Sequence, residues 1–243
     1  MGIVQPFTRC TGRGLRGRTV CQTNEEKEET QEVVVQRKNL FEQKRLIYLL
    51  VDRNLYLCFM ETKEKIVTEA ITFITTRGTN AFSYKDISKE IGIKTSSIHY
   101  YFPTKNDLIL AVLEHVIQKN KEDRKRNNYS NMKSALRGYI DEHILIREQN
   151  KVSIIAALAA DINTLEPQIK AILNNYIEEE IDYLAYILNK GVKENLFVYK
   201  ATPRIQALMI LTNLLAISRI SMITKEIYFE DVARQILIDI EKK

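Results

Sequence analysis

The stretch SSIHYYFPTKNDL, residues 96–108, decides how this chain is interpreted. Four ring-bearing side chains follow one another from His99 to Phe102, between two serines and the sequence Pro-Thr-Lys. A helix with one buried face spaces its aromatic residues three or four apart, and a strand alternates them. Neither spacing fits. The stretch therefore indicates a short helix that presents most of its surface to something other than the protein core.

Four amphipathic helices are predicted in and around this stretch, at residues 61–78, 82–92, 94–102 and 104–120. Ser83 and Thr104 are each followed three residues later by an aspartate, the pattern of an N-terminal capping box. Thr95 is the expected cap of the third helix. Gly92 turns the chain after the second helix, and Pro103 stops the third. The result is a compact set of short helices joined by tight turns.

A two-turn helix, a glycine turn and a second short helix form a helix-turn-helix, whose second helix enters the major groove of DNA. Ile98 and Phe102, four residues apart, give that second helix one buried face. Small hydroxyl residues at its start allow close approach to the groove, and the rings of residues 99–101 can contact phosphates or a thymine methyl. Lys105 begins the next helix, where amide dipoles also favour a phosphate. The sequence thus predicts a DNA-binding head.

With these motifs identified, the segment GIKTSSIHYYFPTKNDLILAVLEH resembles the signature of TetR/AcrR-type transcriptional regulators. Their tyrosine-rich recognition helix is followed by F-x-[ST]-K-x-x-[LF], and FSYKDISKEIGI resembles their second helix. The resemblance implies that the second helix meets the DNA backbone at its start. It also implies that residues 94–97 and His99 read bases while both tyrosines and Lys105 grip phosphates. The DNA-contacting residues implied are Ser83, Tyr84, Lys85, Lys94, Thr95, Ser96, Ser97, His99, Tyr100, Tyr101 and Lys105.

A second, helical body is predicted after a polar junction at 121–131. Its helices are expected within residues 132–149, 151–162, 165–197 and 202–223. The last of these is apolar on nearly every side between residues 207 and 217, so it needs cover all round. The body alone offers limited cover, and a partner chain is the simplest source.

The resemblance implies a homodimer formed through residues 167–190 and 203–223, which would present two recognition helices to a near-palindromic operator. It also implies a pocket between the middle helices of the body for a small-molecule effector, whose identity the sequence does not show. Each candidate pocket residue is of a kind that is more often ordinary core or interface than a ligand contact. The candidates are Tyr139, His143, Ile144, Ile155, Leu158, Asp161, Tyr176 and Tyr183.

The predicted fold is all-α, with a helix-turn-helix head at 60–120 and an effector-binding and dimerisation body at 121–243. Residues 1–59 differ in texture, since they hold every cysteine of the chain and begin with four arginines and no acid before residue 19. Three interpretations stay open. The segment is a basic tail that adds non-specific DNA affinity, an extra helix at 40–59, or sequence upstream of a true start at Met60.

Composition narrows the function further. The apolar fraction of 45%, with 4 prolines and 8 glycines in 243 residues, suits a helical core. The net charge of +5 permits a DNA partner but is weak for an architectural DNA-coating protein. No apolar run approaches the ~20 residues of a membrane span and no signal peptide is visible, so a cytoplasmic location is expected.

The sequence gives no indication of catalysis or of metal or cofactor chemistry. The chain lacks the G-x-S-x-G, H-E-x-x-H, P-loop and dinucleotide patterns, and paired acids such as Glu178 to Glu180 are interpreted as solvated helix faces. The three histidines do not cluster and cysteine is absent after Cys58, so no metal and no cofactor is predicted. The expected function is a dimeric repressor released from its operator by a small effector. The alternatives are a constitutive DNA-binding protein without a ligand switch and, remotely, an enzyme.

Overall fold

A computed structural model of the chain describes residues 61–127, 129–224 and 228–242. The three interpretations of residues 1–59 lie outside the described residues. The described part of the chain is all-α and contains nine α-helices, confirming the predicted fold class. They are α1 (Thr62–Arg77), α2 (Tyr84–Ile91), α3 (Thr95–Tyr101), α4 (Lys105–Arg126), α5 (Met132–Glu148), α6 (Ile154–Ala160), α7 (Pro167–Lys193), α8 (Pro203–Ile223) and α9 (Phe229–Ile240).

Local signals set the boundaries of the first four helices. Both capping boxes form: the Ser83 backbone N–H donates to Asp86 Oδ2 over 2.7 Å, and the Thr104 backbone N–H donates to Asp107 Oδ2 over 2.8 Å. Gly92 adopts the left-handed conformation that closes α2 (φ 72°). Only the cap of α3 differs from the prediction.

The third helix is capped one residue earlier than predicted. Lys94, in extended conformation, holds the N-cap position, and Thr95 is the first helical residue. The side chain of Lys94 makes no capping hydrogen bond. The threonine signal was therefore correct to within one residue, as helix ends usually are.

Of the polar junction predicted at 121–131, residues 121–126 are instead the last turns of α4. Lys121 Nζ lies 3.0 Å from Glu179 Oε1, and Arg124 pairs with Glu180, so the charged residues face α7 rather than forming a linker. A long helix tolerates a charged segment when a neighbouring helix supplies its partners. The absence of apolar residues was wrongly interpreted as the end of the helix.

The C-terminal helix α9 was missed by the sequence analysis, which stopped at residue 223. Its buried residues follow a helical spacing of four, four and three, and they are Phe229, Ala233, Leu237 and Ile240. The chain after it forms an isolated antiparallel bridge between Phe197 and Glu241. This amphipathic spacing is present in the sequence and predicts a helix, so α9 could have been predicted.

Two hydrophobic cores hold the helices together. The first joins the head to α6 and to the first half of α7, through Ile66, Ile74, Ile98, Leu108, Leu158, Ile169 and Leu173 among others. The second joins α5, the rest of α7, α8 and α9, through Leu136, Ile140, Leu184, Leu188, Leu211, Leu214 and Phe229 among others. The first core takes residues from both sides of the boundary predicted at 120/121. The head is thus packed directly on part of the body.

A polar contact, the Asp161 junction, reinforces this packing. Asp161 Oδ2 accepts hydrogen bonds of 2.6 Å from both the backbone N–H and the hydroxyl of buried Thr79. Asn80 Nδ2 donates to Thr164 Oγ1 over 3.1 Å beside it. Gly78 permits the approach, because it has φ 87° and a Cβ there would lie 3.0 Å from Asp161 Oδ2.

Helix α8 is the one described helix that is long and apolar enough to cross a membrane, with 21 residues and a mean hydropathy of 1.5. The sequence argument, based on uninterrupted apolar runs, had missed this. The helix packs along α7 and is tied to its neighbours by two arginines. Arg147 Nε donates to Ser221 Oγ over 2.7 Å, and Arg219 Nη2 donates to the Ala156 carbonyl over 3.0 Å. Both contacts make α8 part of the bundle.

Replacing Asp161 with asparagine tests the junction. Asp161→Asn removes the charge that both Thr79 donors share, and we expect the free energy of unfolding to fall by about 1–2 kcal/mol. Asp239→Asn, at an exposed site on α9, should change it by less than about 0.5 kcal/mol. Urea denaturation of both variants measures the difference. Equal stabilities would show that the junction contributes nothing.

Candidate DNA-binding surface and buried polar cavity

Helix α3 presents one buried edge and a broad exposed surface, as its sequence predicts. Ile98 is fully buried and Phe102 nearly so, both in the first core. Tyr100 is 81% exposed, which leaves its ring free for a partner. Its ring lies perpendicular to that of Tyr101, with centroids 5.1 Å apart. The exposed surface therefore carries rigid aromatic side chains with terminal hydroxyls.

The start of α3 is small and polar. Lys94 and Ser96 are exposed, and Thr95 and Ser97 are half-buried. Such side chains permit close approach of a groove, and their hydroxyls are able to bond base edges or phosphates. Lys85, on the neighbouring helix α2, is exposed as well. The structure thus gathers most of the predicted DNA contacts on one accessible stretch.

Tyr84 is engaged inside the protein. Its hydroxyl donates to the carbonyls of Phe102 and Thr104, over 2.9 and 2.5 Å, at the turn between α3 and α4. Partial burial and the nearby charge of Asp107 raise the pKa of Tyr84 to about 12. These contacts brace α2 against the α3–α4 turn. Its role at DNA stays a prediction, and any phosphate must compete with two internal carbonyls.

Lys105 also turns inward. Its Nζ donates to the Phe82 carbonyl over 2.5 Å and lies 4.2 Å from the centre of the Phe82 ring. Partial burial lowers the pKa of Lys105 from its ordinary value, although Asp161 and Asp86 act in the opposite direction. The side chain is thus half-buried against Phe82, and its contact with a phosphate stays a prediction. The family motif gave no sign of this internal contact.

His99 and Ser83 have local partners too. The His99 ring meets the Tyr84 ring edge-on at 4.8 Å, and its Nδ1 lies 3.4 Å from the Pro103 carbonyl. The ring nevertheless remains exposed. The hydroxyl of Ser83 donates to Asp86 Oδ2 over 2.7 Å, and that bond lowers the pKa of Asp86. These contacts fix the orientation of the candidate contacts before any DNA arrives.

A second candidate site lies in the body, where α4, α5 and α7 enclose a cavity of about 20 Å³. That volume holds roughly one water molecule. Two of the predicted pocket residues, Tyr139 and Tyr183, line it. Six lining residues were not predicted: Asn120, Asp123, Arg124, Asn127, Tyr129 and Glu142.

A buried carboxylate organises this cavity. Glu180 is 4% exposed, and its Oε2 accepts a 3.0 Å hydrogen bond from the Tyr139 hydroxyl. Its Oε1 pairs with Arg124, whose guanidinium lies 4.0 Å from the centre of the Tyr183 ring. Beside this pair, Asn120 Nδ2 donates to the Tyr176 hydroxyl. A buried charge requires such partners, because an unpaired one would cost several kcal/mol.

Burial also shifts the protonation of the surrounding side chains. It raises the pKa of Tyr139 well above its ordinary value, and the negative charge of Glu180 adds to the effect. It raises the pKa of Tyr176 for the same two reasons. Both phenols therefore remain neutral donors at any physiological pH, available to a carboxylate or to a ligand.

The predicted pocket residues do not all meet at this cavity. Tyr176 adjoins it, and the half-buried His143 ring lies 5.1 Å from that of Tyr139. Ile144 is buried in the second core, and Ile155 and Leu158 are buried in the first. Asp161 holds the junction with Thr79 instead. The candidates thus divide into an aromatic group at the cavity and residues with structural roles elsewhere.

The interpretation of residues 178–180 as a solvated face was wrong for Glu180. The signal that could have identified it was its register: Tyr176, Glu180, Tyr183 and Leu184 follow the helical spacing of the buried stripe of α7. A carboxylate at a core position needs a cation, and Arg124 supplies it. That partner was missed because its segment was taken for a linker.

Comparison with known proteins places this geometry in a family. The pattern that defines the bacterial regulatory proteins of the tetR family matches residues 66–112, which span α1 to the first half of α4. No sequence among the curated proteins matches the chain.

Solved structures share the fold over most of their length. A TetR-family transcriptional regulator from Agrobacterium tumefaciens is 26% identical, with a TM-score of 0.69, covering 74% of this chain and 97% of that one. A TetR transcriptional regulator from Legionella pneumophila is 28% identical, with a TM-score of 0.66, covering 73% and 96%. AibR, solved with isovaleryl coenzyme A and operator DNA, is 17% identical, with a TM-score of 0.59, covering 73% and 96%.

Residues 66–112 thus match the tetR family, and the shared fold supports a TetR-family DNA-binding transcriptional regulator. The resemblance of its recognition segment to TetR/AcrR-type regulators is confirmed. The roles of individual residues at DNA stay predictions.

Two lysines separate a DNA contact from a structural role. We expect Lys94→Met to leave stability unchanged, to weaken operator binding by about 1–3 kcal/mol and to relax sequence preference, because the resemblance places Lys94 among the base-reading residues. We expect Lys105→Met to lower the free energy of unfolding by about 1–2 kcal/mol, because the Phe82 carbonyl loses a charged donor. Fluorescence anisotropy against salt and urea denaturation measure the two effects. An unchanged stability for Lys105→Met would show that the contact with Phe82 is not structural, and would favour the phosphate-binding role.

Proposed function

We propose that the protein is a homodimeric repressor that binds a near-palindromic operator and is released from it by a small-molecule effector. The observation that carries the proposal is an uncovered apolar stripe on α8, combined with the exposed surface of α3. The first provides a reason to pair two chains, and the second provides what each chain presents to DNA.

The stripe on α8 consists of two apolar groups, one in the first half of the helix and one at its end, with exposed Thr212 and Asn213 between them. Its large members are 40–85% exposed: Ile205, Leu208, Met209, Ile220, Met222 and Ile223. Burying side chains of this size contributes roughly 1.5–3 kcal/mol each, and exposed apolar patches mark interaction surfaces. A second copy of α8 is the natural cover, since a two-fold axis sets identical stripes against each other.

The helix that adjoins this stripe, α7, exposes a more polar face. At its centre Glu178 and Asp182 both bind Arg204 at the start of α8, the latter over 2.6 Å. These exposed ion pairs contribute little stability, but they form a polar rim beside the apolar stripe. An apolar centre with a polar rim is the usual anatomy of a protein interface. The proposed interface therefore centres on 203–223, with 167–190 at its edge.

Pairing the chains has a consequence for DNA. A two-fold dimer presents two α3 helices, and half-sites about 34–36 Å apart place both in successive major grooves on one side of the duplex. This spacing makes binding sensitive to the separation of the heads. The same geometry gives the operator its near-palindromic form.

Effector release is proposed to act through α4, which reaches from the head to the cavity. Its first half is buried in the first core through Leu108 and Leu113, while Arg124 near its end pairs with Glu180 on α7. A ligand that separates Arg124 from Glu180 removes the ion pair between α4 and α7, and α4 then changes its position relative to the body. The ligand shifts operator affinity only by its difference in affinity for the two states. AibR, a structural neighbour, was solved with both a ligand and operator DNA.

A constitutive DNA-binding protein is the second candidate. The size of the cavity, about 20 Å³, favours it, because a small effector does not fit without rearrangement. Ligand binding in solution separates the two candidates.

TetR regulators are in general not enzymes, and the proposal assigns no catalytic residue. It places the protein in the cytoplasm, where its operator is, and covers α8 with protein rather than lipid.

The dimer is tested by placing a charge in the stripe. Met209→Glu, in the first apolar group of the stripe, should yield a monomer at micromolar concentration, because a carboxylate would be buried in the interface. Operator affinity should fall by at least about a hundredfold, since each head would then bind alone. Val192→Glu is the matched control.

Val192 is also an exposed apolar residue, 44% accessible, but it lies beyond the proposed interface near the end of α7. We expect Val192→Glu to remain dimeric and to bind DNA normally. Sedimentation velocity and anisotropy measure both variants. A Met209→Glu protein that stays dimeric would refute this interface.

A further inference from the structure

Arg124 occupies what is, in chemical terms, a cation-binding site. Its guanidinium lies over the Tyr183 ring at 4.0 Å and pairs with Oε1 of the buried Glu180. Tyr139 donates to the other oxygen of that carboxylate and thereby fixes its orientation. An aromatic face beside a desolvated carboxylate attracts organic cations, which is why such sites recognise ammonium and guanidinium groups.

We propose that this cavity is the effector site of the regulator, and that it takes a small, planar organic cation of the amidinium or guanidinium class, which replaces Arg124 on Glu180 and Tyr183. The inference rests on the proposed function, because it names the ligand class of the same switch. Arg124 then acts as an internal competitor that fills the site when the effector is absent.

The charges around the cavity favour a cation. Asp123 and Glu142 line it and Glu180 lies behind it, whereas Arg124 is the one basic residue among those lining it in the described part of the chain. Removal of water, and next the charge of Glu180, raise the pKa of Glu142. Arg124, and to a smaller extent Lys119, act in the opposite direction on that carboxyl, so a cation that replaces Arg124 must supply the same charge. A ligand cation would relieve this repulsion, and a ligand anion would increase it.

The aromatic surroundings extend beyond one ring. Tyr129, Tyr139 and Tyr183 line the same cavity, and the rings of Tyr139 and Tyr183 have centroids 6.3 Å apart. Tyr129 is held close to α5 because Gly138 has no side chain there, and a Cβ would lie 2.5 Å from the Tyr129 hydroxyl. The rings offer faces to a flat cation entering beside α5.

Displacement of Arg124 has two consequences: it makes space for the ligand, and it removes an ion pair between α4 and α7. The cavity holds about one water molecule while the guanidinium is seated, so the departing side chain provides the missing space. The side chain is 23% exposed and belongs to the last turn of α4, so it can swing to solvent. Its departure also breaks the ion pair that ties this end of α4 to α7.

An isosteric series of probes tests the ligand class on the full chain without DNA. Benzamidinium, benzamide and benzoate have nearly the same planar shape and carry positive, zero and negative charge. Isothermal titration calorimetry should show saturable binding of benzamidinium, with benzamide and benzoate at least about tenfold weaker, a difference of 1.4 kcal/mol or more. Equal binding of all three, preferred binding of benzoate, or binding of none would overturn the proposal.

Arg124→Met gives the sharper result, because it removes the proposed competitor while keeping an unbranched side chain. We expect benzamidinium to bind this variant about tenfold more tightly than it binds the natural chain. If the site instead bound anions through Arg124, the same substitution would abolish benzoate binding. Unchanged or weaker benzamidinium binding would refute the competitor role.

Arg124→Met leaves Glu180 without its cation and could unfold the body, so a second variant is needed. Glu142→Gln removes a negative charge at the lining of the cavity without changing the size of the side chain, and we expect it to weaken benzamidinium binding about fivefold with no loss of thermal stability. No change in affinity would count against the proposal. Because these titrations contain no DNA, their failure beside intact operator binding would remove only the ligand class. Loss of operator binding by the natural chain would instead remove the proposed function.

Discussion

The burial of α4 at one end and its ion pair at the other are the constraint on which the rest of the structure depends. Leu108, Val112 and Leu113 lie in the first core, so the head cannot move without this helix. Arg124, some three turns later, is held by Glu180 on α7. Because α4 is held at both ends, a small displacement at one end moves the other end as well. This is the geometry that a ligand-controlled DNA-binding protein requires.

The sequence alone predicted the head in detail because its signals are local. Capping boxes act over three residues, a left-handed glycine acts at one, and the buried edge of α3 needs only Ile98 and Phe102. The inward contacts of Tyr84 and Lys105 were not predictable in the same way, since their partners are carbonyls 18 to 23 residues distant in sequence. Family motifs record which residue stands at a position, and they do not record whether its side chain faces DNA.

The body was harder to predict because its chemistry depends on pairs of helices. Arg124 and Glu180 are 56 residues apart, and each taken alone resembles an ordinary surface charge. Helix α8 posed the opposite problem. Its apolar composition predicts cover on more than one side, and in the described structure part of its apolar surface is exposed. The same exposed surface explains why α8 is long and apolar enough for a membrane span although a third of its most apolar window is buried in the bundle.

The central claim is that two copies of α3 read one operator, and selection of binding sites from random DNA by the full chain tests it most directly. The account predicts enrichment of an inverted repeat whose half-sites are centred about 10 base pairs apart. It also predicts footprints on one side of the duplex. Enrichment of isolated half-sites, or no enrichment above the starting library, would contradict it.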